Sequence, residues 1–264
     1  MKTVVTTAYR PTTKTIEEAA RIADLLGCTA VERRKRTIEQ IQEMEQADVV
    51  VAAKKRLEYY PVGTSDPFFF HPSSAAFRTK RQPEEDPFLE ATGLSEGDSL
   101  LDCTLGIASD AIMAAVMAGS AGRVVGCESQ PVIGLVVKEG LQRYEEVPRL
   151  CEAMQRIEVV LSDAVTYLQN CADGSFDIVY MDPMFSEAIG ESSNFTPIRQ
   201  AAVHGGLTEE WVTQAKRVAK RRVVLKAHFR STDFEEFGFE RKIRPNTKFH
   251  FGVIHLERGN VSER

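Results

Sequence analysis

Phe176-Asp177-Ile178-Val179-Tyr180-Met181-Asp182-Pro183-Met184-Phe185 is the stretch on which the fold turns. Its first six residues form a short β-rich run, and the run stops at an Asp-Pro turn because proline lacks a ladder donor and fixes its own φ. Runs of the same kind stand at Ser99 to Asp102, Arg123 to Gly126, Glu158 to Leu161 and Arg222 to Lys226, separated by helix-length segments. This alternation predicts right-handed βαβ units and a parallel sheet covered on both faces. Two further runs, near Phe239 to Ile243 and His250 to Leu256, have no helix between them. The expectation is an α/β fold whose seven-stranded, mostly parallel sheet ends in an antiparallel pair.

Upstream, Pro61, Gly63, Pro67, Pro72, Pro83 and Pro87 crowd together and punctuate the chain. The predicted organisation is a small N-terminal α/β unit over residues 1–66, a linker or hairpin over 67–90 and the main domain over 91–264. In the first unit, Lys2 to Thr7 reads as a strand. Thr15-Ile16-Glu17-Glu18 reads as a capping box opening a helix with Ile16, Ala20, Ala23 and Leu26 on one stripe, closed by Gly27. A second box, Thr37-Ile38-Glu39-Gln40, opens another helix, and Val49 to Ala53 returns as a strand. This unit carries no catalytic constellation.

With 264 residues, 43% hydrophobic and 27% charged, the chain has the composition of a folded globular protein. No apolar run approaches the ~18 to 20 residues of a membrane span, and the start lacks the apolar stretch of a signal peptide, so a cytoplasmic location without a membrane partner is expected. The five cysteines Cys28, Cys103, Cys127, Cys151 and Cys171 are scattered and contain no C-x-x-C pair. That spacing argues against a zinc site or a disulfide framework, and no metal is expected. The net charge of −5 removes general phosphate attraction as an argument for a nucleic-acid partner. Local clusters would have to supply it: Arg33 to Arg36, Arg78 with Lys80 and Arg81, Lys220 to Arg222, and Arg241, Lys242, Arg244 and Lys248.

In an open parallel sheet, ligands bind beyond the carboxyl ends of the strands where the winding switches direction. The residues after each strand are therefore the informative ones. After Ser99 to Asp102 comes a turn in which Gly106 would let the backbone approach a ligand, while Ser109 or Asp110 could cap the next helix or reach the ligand. The next strand ends at Glu128-Ser129, a carboxylate able to accept from ribose hydroxyls or simply an acid near a helix start. The third ends near Asp163-Ala164, where Asp163 could accept from an adenine amino group or cap its helix.

Asp182-Pro183-Met184-Phe185 carries the chemistry. A ring-conjugated amine is a poor nucleophile because its lone pair is delocalised. A carboxylate together with the proline-preceding carbonyl can accept both N–H hydrogens and draw the lone pair toward an electrophilic methyl. An aromatic residue one step beyond can stack the acceptor ring, as for a base taken out of its helix. Asp182 and Phe185 are thus the candidate catalytic residues, and Pro183, Met184 and Phe185 the candidate substrate contacts. Ordinary turn chemistry is the alternative for Asp-Pro.

LDCTLGIASD (Leu101 to Asp110), GCES (Gly126 to Ser129), LSDAVTYL (Leu161 to Leu168), YMDPMF (Tyr180 to Phe185) and RRVVLK (Arg221 to Lys226) resemble the J-type guanine-N2 methyltransferases of small-subunit ribosomal RNA and their relatives in Gram-positive bacteria. The resemblance runs from roughly Phe88 to Leu256, and Asp182-Pro183-Met184-Phe185 is its most specific part, with Met184 where most amino methyltransferases carry a second proline. It implies a class I, Rossmann-like methyltransferase fold, S-adenosylmethionine as cofactor and RNA as partner. It also implies that Ser109, Asp110, Glu128, Ser129, Asp163, Ala164 and Asp182 contact S-adenosylmethionine, with Asp182 also facing the acceptor. Two positions depart from the family pattern: Ala108 replaces a second glycine of the turn, and Asp163-Ala164 replaces a more hydroxyl-rich pair. The segment before about Phe70 is not matched by the resemblance.

Other residues carry blander expectations. His71 is read as structural, Phe68-Phe69-Phe70 as packing, Trp211 as core, and Cys103 and Cys127 as small apolar fillers. Ser186 to Gly206 is expected to act as a lid, with Arg199 and His204 available to phosphate. Two rival functions stand beside methyl transfer. A nicotinamide-dependent oxidoreductase expects G-x-G-x-x-G, of which Gly106 is the one glycine kept; a non-catalytic RNA-binding module would keep the fold alone.

Overall fold

The computed structural model describes residues 2–183 and 206–256. In chain order its strands and helices are β1 (Thr3–Thr7), α1 (Thr13–Leu26), β2 (Thr29–Ala30), α2 (Ile38–Glu45), β3 (Asp48–Ala52), β4 (Leu57–Tyr60), α3 (Ser73–Arg78), α4 (Pro87–Thr92), β5 (Ser99–Asp102) and α5 (Ser109–Ala118). They continue with β6 (Arg123–Glu128), α6 (Pro131–Arg143), α7 (Pro148–Gln155), β7 (Glu158–Leu161), α8 (Ala164–Asn170), β8 (Phe176–Met181), α9 (Glu209–Val218), β9 (Ala219–His228), α10 (Asp233–Glu236), β10 (Glu240–Lys242) and β11 (Phe249–His255).

Two compact units emerge. One holds the chain up to His71 together with Gln130–Glu146; the other begins at Pro72 and holds the remaining described residues. Composition places the sequence boundaries at 66 and 90, whereas the contacts divide the chain at 71/72 and add α6 to the first unit.

The first unit is a four-stranded sheet in the order β2-β1-β3-β4, parallel except for β4. Val4, Ile38, Ile41, Val49 and Val51 bury one cluster in it. Helix α1 starts a turn earlier than the sequence suggests. Thr12 is the N-cap and accepts from Thr15 N, and Thr15 closes the box by accepting from Thr12 N at 2.8 Å. The buried stripe shifts accordingly to Thr15, Ala19, Ile22 and Ala23, and Ile16 is 55% exposed. Gly27 ends the helix in the left-handed region, and the Thr37 box opens α2 as expected.

The second unit carries a seven-stranded sheet in the order β10-β11-β9-β8-β5-β6-β7. The five strands from β7 to β9 are parallel neighbours, and β11 runs antiparallel between β9 and β10. This is the expected α/β class, with helices interleaved between the parallel strands. Leu101, Val125, Val179 and Val223 meet across the central strands, and Trp211, Val212, Ala215 and Val218 of α9 join the same core. The winding runs β5, β6, β7 in one direction and β8, β9 in the other, so the switch point lies at the carboxyl ends of β5 and β8.

Candidate functional site

Two backbone bonds anchor the turn after β5. Cys103 N donates to Tyr180 O on β8, and Leu105 N donates to Cys127 O on β6, each at 2.9 Å. The turn's shape depends on Gly106 at φ +50° and Ala108 at φ +62°. A left-handed alanine costs about 1–2 kcal/mol relative to its right-handed form, so the turn holds Ala108 in a conformation that glycine would adopt without that cost. Beneath the turn, Gly126 lies against Leu105, leaving no room for a Cβ. Gly106 N donates to Glu128 Oε2 at 3.2 Å, which joins two of the sequence-predicted residues at adjacent strand ends. A Cβ at Gly106 would meet only Thr104 O, at 3.8 Å, so the glycine faces open space.

Asp182 stands where the parallel ladder of β8 ends. Its backbone N–H donates to Thr104 Oγ1 at 2.8 Å, and Thr104 N donates to Asp102 Oδ1 at 3.0 Å. The turn after β5 therefore fixes the carboxylate's backbone across the switch point. Lys226, on β9 beside β8, donates from Nζ to Asp182 Oδ2 at 2.5 Å and lies 3.5 Å from Asp110 Oδ2. Asp110 also takes Arg78 Nη1 at 2.5 Å and the Tyr180 hydroxyl at 2.8 Å. Arg78 in turn grips Asp86 with two bonds, at 2.8 and 2.9 Å. The result is a continuous chain of charge, Asp86–Arg78–Asp110–Lys226–Asp182, whose side chains are 5 to 25% exposed.

Burial and charge divide the acids. Burial pushes Asp182 above the ordinary carboxylate value, and Lys226 offsets part of that rise. Burial acts on Asp110 in the same sense, but Lys226 and Arg78 outweigh it and hold Asp110 at about 2. Asp102 is buried among these acids and pushed up to about 8, chiefly by desolvation. Burial lowers the Lys226 ammonium, but Asp182 and Asp110 outweigh it, so the lysine stays a cation.

The other predicted residues distribute as follows. Neither Ser109 nor Asp110 caps α5. Ala108 occupies that position without a side-chain cap, because Asp110 turns to Arg78, Tyr180 and Lys226, and Ser109 Oγ lies 3.4 Å from Arg78 Nη1. Ser129 is exposed directly after Glu128. Asp163 is exposed and caps α8, accepting from Thr166 N at 3.0 Å, with Ala164 buried behind it. The strand before it, β7, pairs Leu161 with Glu128. Pro183 is buried, whereas Met184 and Phe185 lie outside the described residues, as does the expected lid apart from Gly206.

Lys226, Thr104, Arg78, Asp86, Tyr180 and Asp102 are the members that sequence reasoning missed. Lys226 had a signal: it is the one charge in Val223-Val224-Leu225-Lys226-Ala227, a run otherwise apolar enough for a buried parallel strand. Arg78, which the sequence offers with Lys80 and Arg81 as a cluster available to phosphate, is instead a half-buried clamp on Asp86 and Asp110. Lys220, Arg221 and Arg222 are likewise committed within the unit, to Asp177 at 3.3 Å, Asp98 at 2.6 Å and Ala91 O at 3.0 Å. Those partners lie near the amino ends of the strands, opposite the site. Cys103 and Cys127 are buried thiols that desolvation raises, in keeping with filler roles. His71 Nε2 lies 3.1 Å from the Tyr144 hydroxyl within the first unit. Among the described residues no group of three or more His, Cys, Asp or Glu side chains is placed to hold a metal, and no helix is long and apolar enough to cross a membrane.

Comparison with known proteins adds the family. Residues 35–244 match the family model described as "Putative SAM-dependent methyltransferase". The uncharacterised protein YpiP of Bacillus subtilis (strain 168) is 41% identical over 254 residues, 95% of this chain and 98% of that protein. Ribosomal RNA small subunit methyltransferase J of Acinetobacter baylyi is 34% identical over 99 residues, which span 37% of this chain and 36% of that enzyme. Among solved structures, a SAM-dependent methyltransferase from Neisseria gonorrhoeae shares the fold at a TM-score of 0.62 and 18% identity, covering 96% of this chain and 95% of that one.

Proposed function

The chain belongs to the SAM-dependent methyltransferase family matched by residues 35–244, and on that premise we propose that its acceptor is an exocyclic base amine, specifically the 2-amino group of a guanine in ribosomal RNA. The supporting observation is the placement of Asp182-Pro183 at the carboxyl end of β8, at the switch point, with its backbone held by Thr104 and its carboxylate by Lys226. The likeness to the J-type ribosomal RNA enzyme supports the same substrate class. The family match also sets aside the nicotinamide oxidoreductase, whose spaced glycines the turn after β5 lacks.

The strand ends fit S-adenosylmethionine. Gly106 offers unobstructed backbone, Glu128 a carboxylate for ribose hydroxyls, and Asp163 an exposed acid beyond the adjoining strand. The cofactor, when bound, supplies an electrophilic methyl on a sulfonium. Asp182 accepts one amine hydrogen on its carboxylate and the other on its backbone carbonyl, which orients the nitrogen lone pair; rate enhancement then comes from positioning. Lys226 opposes the rise that burial imposes on the Asp182 carboxylate. Asp110 is committed to Arg78, Tyr180 and Lys226, so it acts by anchoring Lys226 rather than by meeting the base.

The test is methylation of small-subunit ribosomal RNA taken from cells lacking the gene, with nucleosides mapped by mass spectrometry. N2-methylguanosine should form with the wild type and not with Asp182→Ala, while RNA affinity is unchanged by the substitution. Methyl transfer to protein or to a small molecule with none to RNA would overturn the reading. Undiminished turnover by Asp182→Ala would do the same.

A further inference from the structure

In the N-terminal sheet, β1, β2 and β3 are parallel, so their carboxyl ends reach one edge, and a basic connection follows each of them there. After β1 come Tyr9 and Arg10, with Lys14 in the first turn of α1. After β2 comes Arg33-Arg34-Lys35-Arg36, tied back to the end of β1 by a bond from Arg33 Nη1 to Thr7 O at 3.3 Å. After β3 comes Lys54-Lys55-Arg56, the turn that starts β4 at this same edge, since Ala52 pairs with Leu57. The acid within these connections is Glu32, held by Arg34 at 3.0 Å. Arg10, Lys35 and Lys54 are exposed and make no hydrogen bond or ion pair among the described residues.

Lys55 and Arg56 pair with Glu146 at 3.4 Å and Glu58 at 2.9 Å, but Arg10, Lys35 and Lys54 are like charges without such partners, which repel one another and add nothing to folding, in a chain whose net charge is −5. Three separate segments nevertheless bring cations to one edge. The aromatic ring of Tyr9, 57% exposed, stands among them and offers a stacking face. We propose that this edge is a phosphate-binding surface for the RNA substrate. The proposal rests on the reading of the chain as an RNA methyltransferase and names the surface that holds the RNA. Phosphate contacts of this kind position a nucleic acid without reading its sequence.

The test is the triple variant Arg10→Gln, Lys35→Gln, Lys54→Gln, one exposed cation from each connection. Its binding to a short RNA hairpin of arbitrary sequence is measured as a function of salt. Each lost phosphate contact removes about 0.7–0.9 from the slope of log K against log salt, so the slope should fall by about 2 to 3, equivalent to binding on the order of 10²-fold weaker near 0.1 M salt. S-adenosylmethionine affinity and kcat at saturating RNA should match the wild type, and circular dichroism should show the same fold. An unchanged slope in a variant that still binds and methylates RNA overturns the surface and leaves the substrate reading standing. A wild type that neither binds nor methylates RNA overturns the substrate reading itself. Loss of binding to phosphatidylglycerol vesicles, with RNA binding intact, would assign the edge to a membrane and overturn the proposal.

Discussion

Replacing Lys226 with methionine removes the cation that two buried carboxylates share. Lys226 Nζ is 2.5 Å from Asp182 and 3.5 Å from Asp110, and the three side chains are 23%, 25% and 13% exposed. Methionine fills the stem's volume but leaves Asp182 without its partner, and breaking a buried pair from one side costs about 3–5 kcal/mol. The partial exposure puts the expectation at the lower end, about 3 kcal/mol, which lowers Tm by roughly 6–12 °C in a chain of this size. The pH dependence identifies the cause. Asp110 is held at about 2, below its unfolded value of 3.8, so it stabilises the fold above 3.8 and loses that contribution as pH falls toward 2. Asp182 is already raised by burial, and without Lys226 it rises further, which penalises the folded state increasingly as pH climbs above the ordinary carboxylate range. The Asp110 contribution is already in place at pH 4.5, so Asp182 is what makes the variant's deficit larger near pH 8 than near pH 4.5. Thermal unfolding at the two pH values measures it, and Asp182→Asn added to Lys226→Met should recover most of the loss. Equal deficits at both pH values, or a double variant less stable than the single one, would refute the reasoning.

Glu128→Ala should weaken S-adenosylmethionine binding about 10- to 100-fold by calorimetry, the worth of charge-assisted hydrogen bonds at about 1.5–3 kcal/mol. Gly126→Ala drives a methyl into Leu105; denaturant unfolding should show a loss of about 1–3 kcal/mol, together with weaker cofactor binding because Leu105 adjoins Gly106. Asp102 is raised to about 8 from 3.8, so it takes up a proton on folding, and its contribution declines as pH rises between those values. Asp102→Asn should therefore flatten the stability profile between pH 5 and 8, by at most about 1.4 kcal/mol per pH unit.

The sheet was legible because its parallel strands are short apolar runs bounded by turns: Ser99–Asp102, Glu158–Leu161 and Phe176–Met181 fall where the sequence puts them. The two-residue β2 was too short to leave a pattern. β4 follows Lys54-Lys55-Arg56 and contains Glu58, so charge masks its short apolar alternation although Leu57 and Tyr59 are buried. In the site, Glu128, Asp163 and Asp182 could be named because topology alone carries strand-end acids to one side of a parallel sheet. Which cation serves which acid could not. Arg78 reaches Asp86 and Asp110 from 8 and 32 positions away, and Lys226 reaches Asp182 from 44, separations that no local spacing encodes. Ala108 is the intermediate case: the turn's need for a left-handed residue was visible as a departure from glycine, and the structure shows alanine held there, fully buried.

The pairing of Asp182 with Lys226 also bears on what the acid does. A base strong enough to strip a proton from the amine before transfer would gain nothing from a cation at 2.5 Å, which lowers its proton affinity. On the proposed reaction such a base is unnecessary, because the ring-conjugated nitrogen becomes strongly acidic once methylated and releases its proton to water. Asp182 is then an acceptor that orients the amine, and an amide oxygen can do the same. Asp182→Asn should keep kcat within about tenfold of the wild type, whereas Asp182→Ala should lose about 10²-fold or more through misplacement of the nitrogen. The wild-type rate should fall on the acid side as Asp182 takes up a proton, at a pH above the ordinary carboxylate value because burial raises it. Asp182→Asn should lack that limb. A rate in Asp182→Asn as low as in Asp182→Ala, with S-adenosylmethionine and RNA still bound, would make Asp182 the base that removes the proton.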